Sequence, residues 1–166
     1  MSLELRPARL RDLAAIDAIY DHYVTQTSVT FDVEPAAPAA RRAWFEQFDS
    51  RGRHSLLVAD RDARVLGWAC SHTFRPKAAY ATSVETTIYL DRDAMGQGLG
   101  SALYDALFSA LAEEDVHRAY AGVTLPNPAS EALHRRFGFH PLGTFREVGF
   151  KLGRFWDVCW YEKRLG

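Results

Sequence analysis

The sequence lacks the features that mark several large classes of protein. Its only two cysteines, Cys70 and Cys159, lie far apart and outside any metal-ligand spacing, so we expect reduced thiols, with one disulfide as the alternative. The histidines show no ligand spacing either, and no metal site is expected. No apolar run approaches the roughly 20 residues of a membrane span, and the first seven residues have no signal-peptide core. These absences predict a soluble, cytoplasmic protein without membrane contact.

An excess of charge of one sign is also missing. Twenty lysines and arginines face 21 aspartates and glutamates, for a formal charge of -1, which gives no reason to expect a nucleic-acid partner. With 48% hydrophobic and 25% charged residues, the composition is typical of a globular protein. The length of 166 residues is close to the usual size of one domain. We therefore expect residues 1–166 to form a single domain.

Hydrophobic periodicity predicts an order of strand, two helices, three strands, helix, strand, helix and two strands. The predicted strands are Leu3–Arg6, Ser55–Ala59, Val65–Thr73, Thr82–Leu90, His117–Thr124, Leu142–Phe150 and Phe155–Glu162, with a turn at Asp60–Ala63. The predicted helices are Leu10–Thr25, a second helix that begins at Pro38, Gly98–Glu113 and Pro128–Phe137. This order indicates a mixed α/β domain around one sheet.

A glycine-rich turn, Gly96–Ser101, follows the strand Thr82–Leu90 and opens a helix. The first N–H groups of a helix are unpaired and carry partial positive charge, so the segment predicts an anion site. A Walker loop would end in Gly-Lys-Ser/Thr, and a dinucleotide fingerprint needs glycine where Ser101 stands, with an acidic residue about 20 positions on. Neither pattern is met. The alternative to an anion site is a flexible, glycine-containing turn that binds no ligand.

Two motifs together resemble the coenzyme A site of the GNAT superfamily of N-acetyltransferases. The first is Gly-x-Gly-x-Gly at residues 96–100; the second, about 30 residues on, is Asn127 before a short helix that ends in Gly138-Phe139. A narrower likeness, to phosphinothricin and methionine sulfoximine acetyltransferases, covers nearly the whole chain. It rests on Ile19–Val24, Thr30-Phe31, Val84–Tyr89, Gly98–Ser101, Leu133-His134, Lys151 and Trp156-Asp157. The chain departs from that pattern at Met95, where the family usually has Gln or Arg.

The resemblance implies a fold and a function. The fold is α/β (mixed α+β), with a central mixed, mostly antiparallel sheet flanked by helices on both faces. The implied function is transfer of acetyl from acetyl-CoA to the amine of a small, amino-acid-like acceptor, without a metal, by a homodimer. The residues implied in cofactor binding are Ile88, Tyr89, Leu90, Gly96, Gln97, Gly98, Leu99, Gly100, Ser101 and Asn127.

Glu85 is the candidate general base. Glutamate is depleted in strands, so a carboxylate in the middle of a β-branched strand is uncommon; a solvated sheet face is the alternative. By its position in the family pattern, His134 is a candidate proton donor to the departing thiolate or a second base, and a capping or core role is its alternative. We expect backbone N–H groups around Thr87–Leu90 to stabilise the oxyanion.

The loop before the Glu85 strand supplies the candidate acceptor-binding groups. By resemblance, Arg75, Lys77 and Tyr80 hold the carboxylate or phosphinate of the acceptor; solvated loop charge is the alternative, for Lys77 more than for Arg75. Thr87 and Phe31 are further candidate acceptor-binding residues, with a core role as the alternative for Phe31. Two other functions stay open at this point. One is acetylation of peptide N-termini or polyamines, and the other is a non-catalytic coenzyme A-binding sensor.

Overall fold

A computed structural model describes residues 2–166, and within them it contains seven strands and four α-helices. The strands are β1 (Leu3–Pro7), β2 (Leu56–Arg61), β3 (Arg64–Thr73), β4 (Ser83–Leu90), β5 (Arg118–Leu125), β6 (His140–Lys151) and β7 (Arg154–Arg164). The helices are α1 (Leu13–Gln26), α2 (Pro38–Phe45), α3 (Leu99–Leu111) and α4 (Pro128–Arg136). The order of elements is the one that the sequence predicts.

All seven strands join one sheet, in the order β1-β2-β3-β4-β5-β7-β6. Every neighbouring pair is antiparallel except β4 and β5, which run parallel. Parallel neighbours need a crossover connection, and α3 supplies it between these two strands. The expectation of a mixed, mostly antiparallel sheet is confirmed.

Helices cover both faces of the sheet, as expected, because strand side chains alternate between the faces. On one face, α1 buries Ile16 and Ile19 against a cluster that includes Val58 and Trp68. On the other, the apolar side of α3 packs against the small residues of β3 and β5. The side chains of that second core include Leu103, Leu107, Ala69, Ala119 and Ala121.

The first helix begins later than the sequence predicts. Leu10–Asp12 form a 3-10 turn, and the α-helix starts at Leu13. The buried carboxylate of Asp12 accepts hydrogen bonds from the Arg9 backbone N–H and from Arg6 Nη1, each at 2.7 Å. Because the Asp12 side chain is hydrogen-bonded to Arg6 of β1, a tight 3-10 turn is favoured over a regular first turn of the α-helix.

The turn between β2 and β3 is shorter than predicted, and β2 extends to Arg61. Asp62 and Ala63 adopt φ values of 53° and 62°, as in a two-residue hairpin turn. That turn type favours glycine, which is missing here, so the sequence does not indicate it. β6 also begins earlier than predicted, at His140.

Both cysteines are buried and free, which confirms the expectation of thiols. No helix within residues 2–166 combines the length and the apolar character needed to cross a bilayer.

Candidate active site

The sheet opens between β4 and β5. Their pairing runs only from Ser83 with Arg118 to Glu85 with Tyr120, although β4 continues to Leu90 and β5 to Leu125. Beyond Glu85 a cleft of about 480 Å³ is bounded by these two strands, α3, α4, the loop after α1 and the β6–β7 hairpin. The cleft reaches both faces of the sheet, since Glu85 lies on the α1 face and Tyr104 belongs to α3.

The backbone of β4 presents two free donors to this gap. The Asp91 N–H donates to the Leu66 carbonyl, toward β3, at 2.9 Å. Backbone groups alternate in direction along a strand, so the N–H groups of Leu90 and Ile88 point to the other side, toward β5. Of these two residues, Ile88 lines the cleft, and Leu90 lies at the end of β4, where its carbonyl accepts from the Tyr23 hydroxyl at 2.6 Å.

Glu85 lines the cleft and is half-buried. Burial raises the pKa of its carboxyl, and the positive charge of Arg75 opposes this only in part. A carboxylate with a raised pKa binds a proton more strongly, which suits a general base. Thr87 lies two residues on, on the same face of β4, and also lines the cleft.

Arg75 reaches the cleft, whereas Lys77 and Tyr80 do not line it. The Arg75 guanidinium lies 4.9 Å from the centre of the Phe74 ring. The chain then turns through a short 3-10 segment, Ala78–Tyr80, and Tyr80 packs edge-on against Phe74 at 5.9 Å. Of the three residues implied in holding the acceptor's anionic group, the structure brings one to the site.

A buried lysine fixes the loop that carries Phe31. Lys151 Nζ donates to the Thr30 carbonyl at 2.7 Å and to the Tyr23 carbonyl, near the end of α1, at 3.3 Å. Phe31 lines the cleft, and its ring lies against Gly149, where a β-carbon would overlap it. The family pattern includes Lys151, but sequence reasoning gave it no role in the site.

His134 is buried in the wall of the cleft, and both of its ring nitrogens have partners. Nδ1 lies 2.7 Å from the Ser130 carbonyl oxygen, which can only accept, so Nδ1 carries the hydrogen. Nε2 of the neutral ring then accepts from the Tyr104 hydroxyl at 3.0 Å. Burial lowers the pKa of His134, which favours this neutral form. In that form Nε2 has no proton to give.

Sequence reasoning missed Tyr104. It lies on the apolar side of α3, beside Leu103 and three residues before Leu107, where an aromatic residue is typical of the core. Its side chain is fully buried, yet it lines the cleft. Only the hydrogen bond to His134 distinguishes it from a packing residue.

Asn127 caps α4 and also lines the cleft. Its Oδ1 accepts from the Ser130 N–H at 3.1 Å. This bond leaves the amide NH2 of Asn127 as its donor group toward a ligand.

The glycine-rich turn forms the start of α3. Gly96 and Gly98 have φ values of 74° and 76°, a region that disfavours side chains, and a β-carbon at either would enter open space. The first backbone bond of the helix runs from Ala102 N–H to the Gly98 carbonyl, at 3.1 Å. The N–H groups of Leu99, Gly100 and Ser101 come before that bond and point out of the helix start.

Leu99 can contribute to cofactor binding only through its backbone, because its side chain is buried in the core. Gln97 Oε1 accepts from Arg61 Nη1 at 3.0 Å, which leaves its amide NH2 as a donor. The Tyr89 ring lies among Tyr20, Tyr23 and Trp68, beneath α1. Within residues 2–166, no group of three or more His, Cys, Asp or Glu side chains is placed to hold a metal ion.

The glycine-rich turn at the start of α3 and the Asn127 cap of α4 are the two motifs by which the sequence resembles a GNAT acetyltransferase. The sequence matches the Acetyltransferase (GNAT) family over residues 16–139, and the chain belongs to that family. It is therefore an acyltransferase, and the resemblance seen in the sequence is confirmed.

Three acetyltransferases are similar to this chain over nearly its whole length. The chain is 52% identical over 165 residues to a phosphinothricin N-acetyltransferase of Streptomyces coelicolor, covering 98% of this chain and 96% of that protein. It is 34% identical over 165 residues to an L-methionine sulfoximine/L-methionine sulfone acetyltransferase of Pseudomonas paraeruginosa, covering 99% and 96%. A crystal structure of a phosphinothricin acetyltransferase from Sinorhizobium meliloti, in complex with acetyl-CoA, matches with a TM-score of 0.93 at 32% identity, covering 100% of this chain and 90% of that one.

Proposed function

We propose that the protein transfers acetyl from acetyl-CoA to the amine of a small amino-acid-like acceptor of the phosphinothricin or methionine sulfoximine type. One observation carries the proposal: Glu85, with its raised pKa, and the Arg75 cation share the cleft between β4 and β5. A base and a cation in one cleft suit an acceptor whose amine lies close to an anionic group. The names of the relatives support the same acceptor class.

The residues present fit coenzyme A. The outward N–H groups of Leu99, Gly100 and Ser101 suit a pyrophosphate, with two positive-φ glycines ahead of them. The Ile88 backbone and the Leu90 N–H suit the amides of the pantetheine arm, and Ile88 and Asn127 both line the cleft. When bound, the cofactor supplies an activated acetyl thioester.

In this proposal Arg75 binds the anionic group of the acceptor and holds its amine near Glu85. Glu85 accepts a proton from the ammonium, directly or through water, and the neutral nitrogen then attacks the thioester carbonyl. The N–H groups of Ile88 and Leu90 are the donors available to the carbonyl oxygen as it becomes negative. The two reactants enter from opposite faces of the sheet.

We assign His134 a role that acts through Tyr104. Nε2 of the neutral ring accepts a hydrogen bond from the Tyr104 hydroxyl at 3.0 Å, and the ring's own hydrogen is on Nδ1, toward the Ser130 carbonyl. His134 therefore orients the hydroxyl that borders the cleft. This replaces direct proton donation by the ring to the departing thiolate.

The test is an amine panel with acetyl-CoA and detection of the released thiol. Phosphinothricin, methionine sulfoximine and methionine sulfone are compared with spermidine and with a peptide that has a free N-terminus. We expect thiol release with the first group. Release with only spermidine or the peptide would favour the polyamine or peptide alternative. A melting shift by acetyl-CoA without any thiol release would favour the sensor.

We also propose a homodimer formed through the β6–β7 hairpin. β6 is an edge strand, and six large apolar side chains of the hairpin are each more than half exposed, which is typical of an interaction surface. They are Leu142, Phe145, Val148, Phe150, Leu152 and Phe155. Because Phe145 and Val148 also line the cleft, the partner would close over its rim.

The free thiols Cys70 and Cys159 support a cytoplasmic location. The single continuous sheet supports treating residues 1–166 as one catalytic domain.

A further inference from the structure

His72 lies beside the candidate base and has no role in the chemistry described so far. It is on β3, directly across from Glu85 of β4 in the pairing register. Its Nδ1 lies 3.3 Å from the Thr73 carbonyl oxygen, and its Nε2 lies 3.3 Å from Thr87 Oγ1. The imidazole therefore joins the backbone of its own strand to a hydroxyl of the cleft.

The partners of His72 determine which nitrogen carries its hydrogen. The Thr73 carbonyl oxygen can only accept, so the hydrogen is on Nδ1. In the neutral ring Nε2 is then a bare acceptor, and the Thr87 hydroxyl must donate to it. The hydrogen of Thr87 then points away from the cleft, and the lone pairs of Oγ1 are left as acceptors for a ligand.

We propose that His72 is a positioning residue that holds the Thr87 hydroxyl as a hydrogen-bond acceptor for the ammonium group of the substrate. This inference rests on the proposed function and adds a specificity element to it. Thr87 and Glu85 then present two acceptors on one face of β4, while Arg75 supplies the cation for the anionic group. An ammonium has three N–H donors, so it can use both acceptors at once.

Protonation of His72 reverses the direction of the hydrogen bond between its Nε2 and the Thr87 hydroxyl. Nε2 then becomes a donor to Thr87 Oγ1, and the hydroxyl hydrogen turns toward the cleft. There it points at the N–H groups of the substrate, which are also donors, and binding of the ammonium is weakened. Burial lowers the pKa of His72, which keeps the acceptor arrangement at neutral pH.

The titratable and charged neighbours of His72 come from three directions. Across the strand pair is Glu85, whose pKa is raised by burial against the opposing charge of Arg75. On the same face of β3 is the buried thiol Cys70, near Arg41. On the far side is His54, whose Nε2 lies 3.5 Å from Thr73 Oγ1. Burial, His72 and Arg53 lower the pKa of His54, and Asp49 opposes them.

The first test reads the tautomer in the parent protein without any turnover. Two-dimensional ¹⁵N–¹H spectra of histidine-labelled protein at pH 7.5 distinguish a hydrogen on Nδ1 from one on Nε2. His72→Phe assigns the signal by its loss, and His140→Gln, at an exposed position on β6, is the matched control. We expect the hydrogen on Nδ1. A hydrogen on Nε2 would overturn the proposal.

The second test measures KM for the amine, kcat and KM for acetyl-CoA in His72→Phe, Thr87→Val and the double variant. Each single change should raise the amine KM by roughly 5- to 20-fold, the effect of one lost hydrogen bond, while KM for acetyl-CoA stays within about 2-fold. The double variant should be no worse than Thr87→Val, because both changes remove the same acceptor. Additive losses, or a parental KM in His72→Phe, would contradict the proposal.

A third variant separates the hydrogen bond from the titration. His72→Gln keeps an acceptor oxygen and has no proton equilibrium, so its amine KM should lie nearer the parent's than that of His72→Phe. Its profile of kcat/KM against pH should show one fewer acidic ionisation than the parent's. An unchanged profile would refute the reversal of the hydrogen bond between His72 and Thr87 on protonation. If the parent acetylates no amine of the panel, the proposed function fails, whatever the tautomer spectrum shows.

Discussion

Replacing Glu85 by glutamine tests the base directly. Glutamine keeps the size and the hydrogen-bonding capacity of the side chain but removes its basicity. General base catalysis contributes typically 10²–10⁴-fold, so we expect kcat at pH 7 to fall by roughly that range. Acetyl-CoA affinity should hardly change, because Glu85 lies on the α1 face, away from the helix start proposed to bind the pyrophosphate.

Part of the lost activity should return at high pH. The amine of a free amino acid is almost wholly protonated at pH 7, and its neutral fraction grows with pH until the pH exceeds the pKa of the amine. For a pKa of about 8 or higher, the Glu85→Gln rate should therefore rise at least about tenfold between pH 7 and pH 9. The parent should instead lose activity on the acid side, at a pH above the usual range for a carboxyl, because burial raises the pKa of Glu85.

The same change should stabilise the folded protein at pH 7. A carboxyl whose pKa is higher in the folded state than in the unfolded state loses stability as pH rises through that interval, and the loss persists above it. Glutamine has no such loss. The melting temperature of Glu85→Gln should exceed the parent's at pH 7, and the two should converge below about pH 4.5.

The assay is thiol release with saturating acetyl-CoA between pH 6.5 and 9, together with thermal melting at pH 4 and pH 7. Glu4→Gln is the control, since Glu4 is an exposed carboxylate on β1, three strands from β4. Near-parental kcat in Glu85→Gln across that pH range would show that Glu85 is not the base. A lower melting temperature at pH 7 would contradict the assignment of its raised pKa to burial.

Three further outcomes are expected. Gly98→Val should abolish most of the melting shift given by acetyl-CoA, whereas Gly52→Val, at a positive φ beside the opposite end of α3, should retain it; equal shifts would refute the pyrophosphate assignment. Arg75→Ala should raise KM for the anionic acceptor about 10- to 100-fold and spare acetyl-CoA binding, and a preference for cationic amines in the parent would contradict this. Phe150→Glu should convert a dimer to a monomer in sedimentation velocity, and a monomeric parent would refute the interface.

Local patterns in the sequence were sufficient for the order of elements and for the two coenzyme A motifs. The glycines at 96 and 98 and the cap at Asn127 act through conformations of a few neighbouring residues, so the printed sequence reveals them. Glu85 stood out for a similar reason, because a strand rich in β-branched residues seldom carries a carboxylate.

The tertiary structure alone decided how the site is assembled. The cleft exists because β4 and β5 part after Glu85, and strand register is a property of two distant segments. Arg75 enters the cleft and Lys77 stays outside it, although they are two residues apart in one loop. The bonds of His134 to Tyr104 and of His72 to Thr87 join different elements, and they set which nitrogen of each ring carries its hydrogen. Sequence supplies the titratable groups, but only long-range packing fixes their partners, and the partners determine their chemistry.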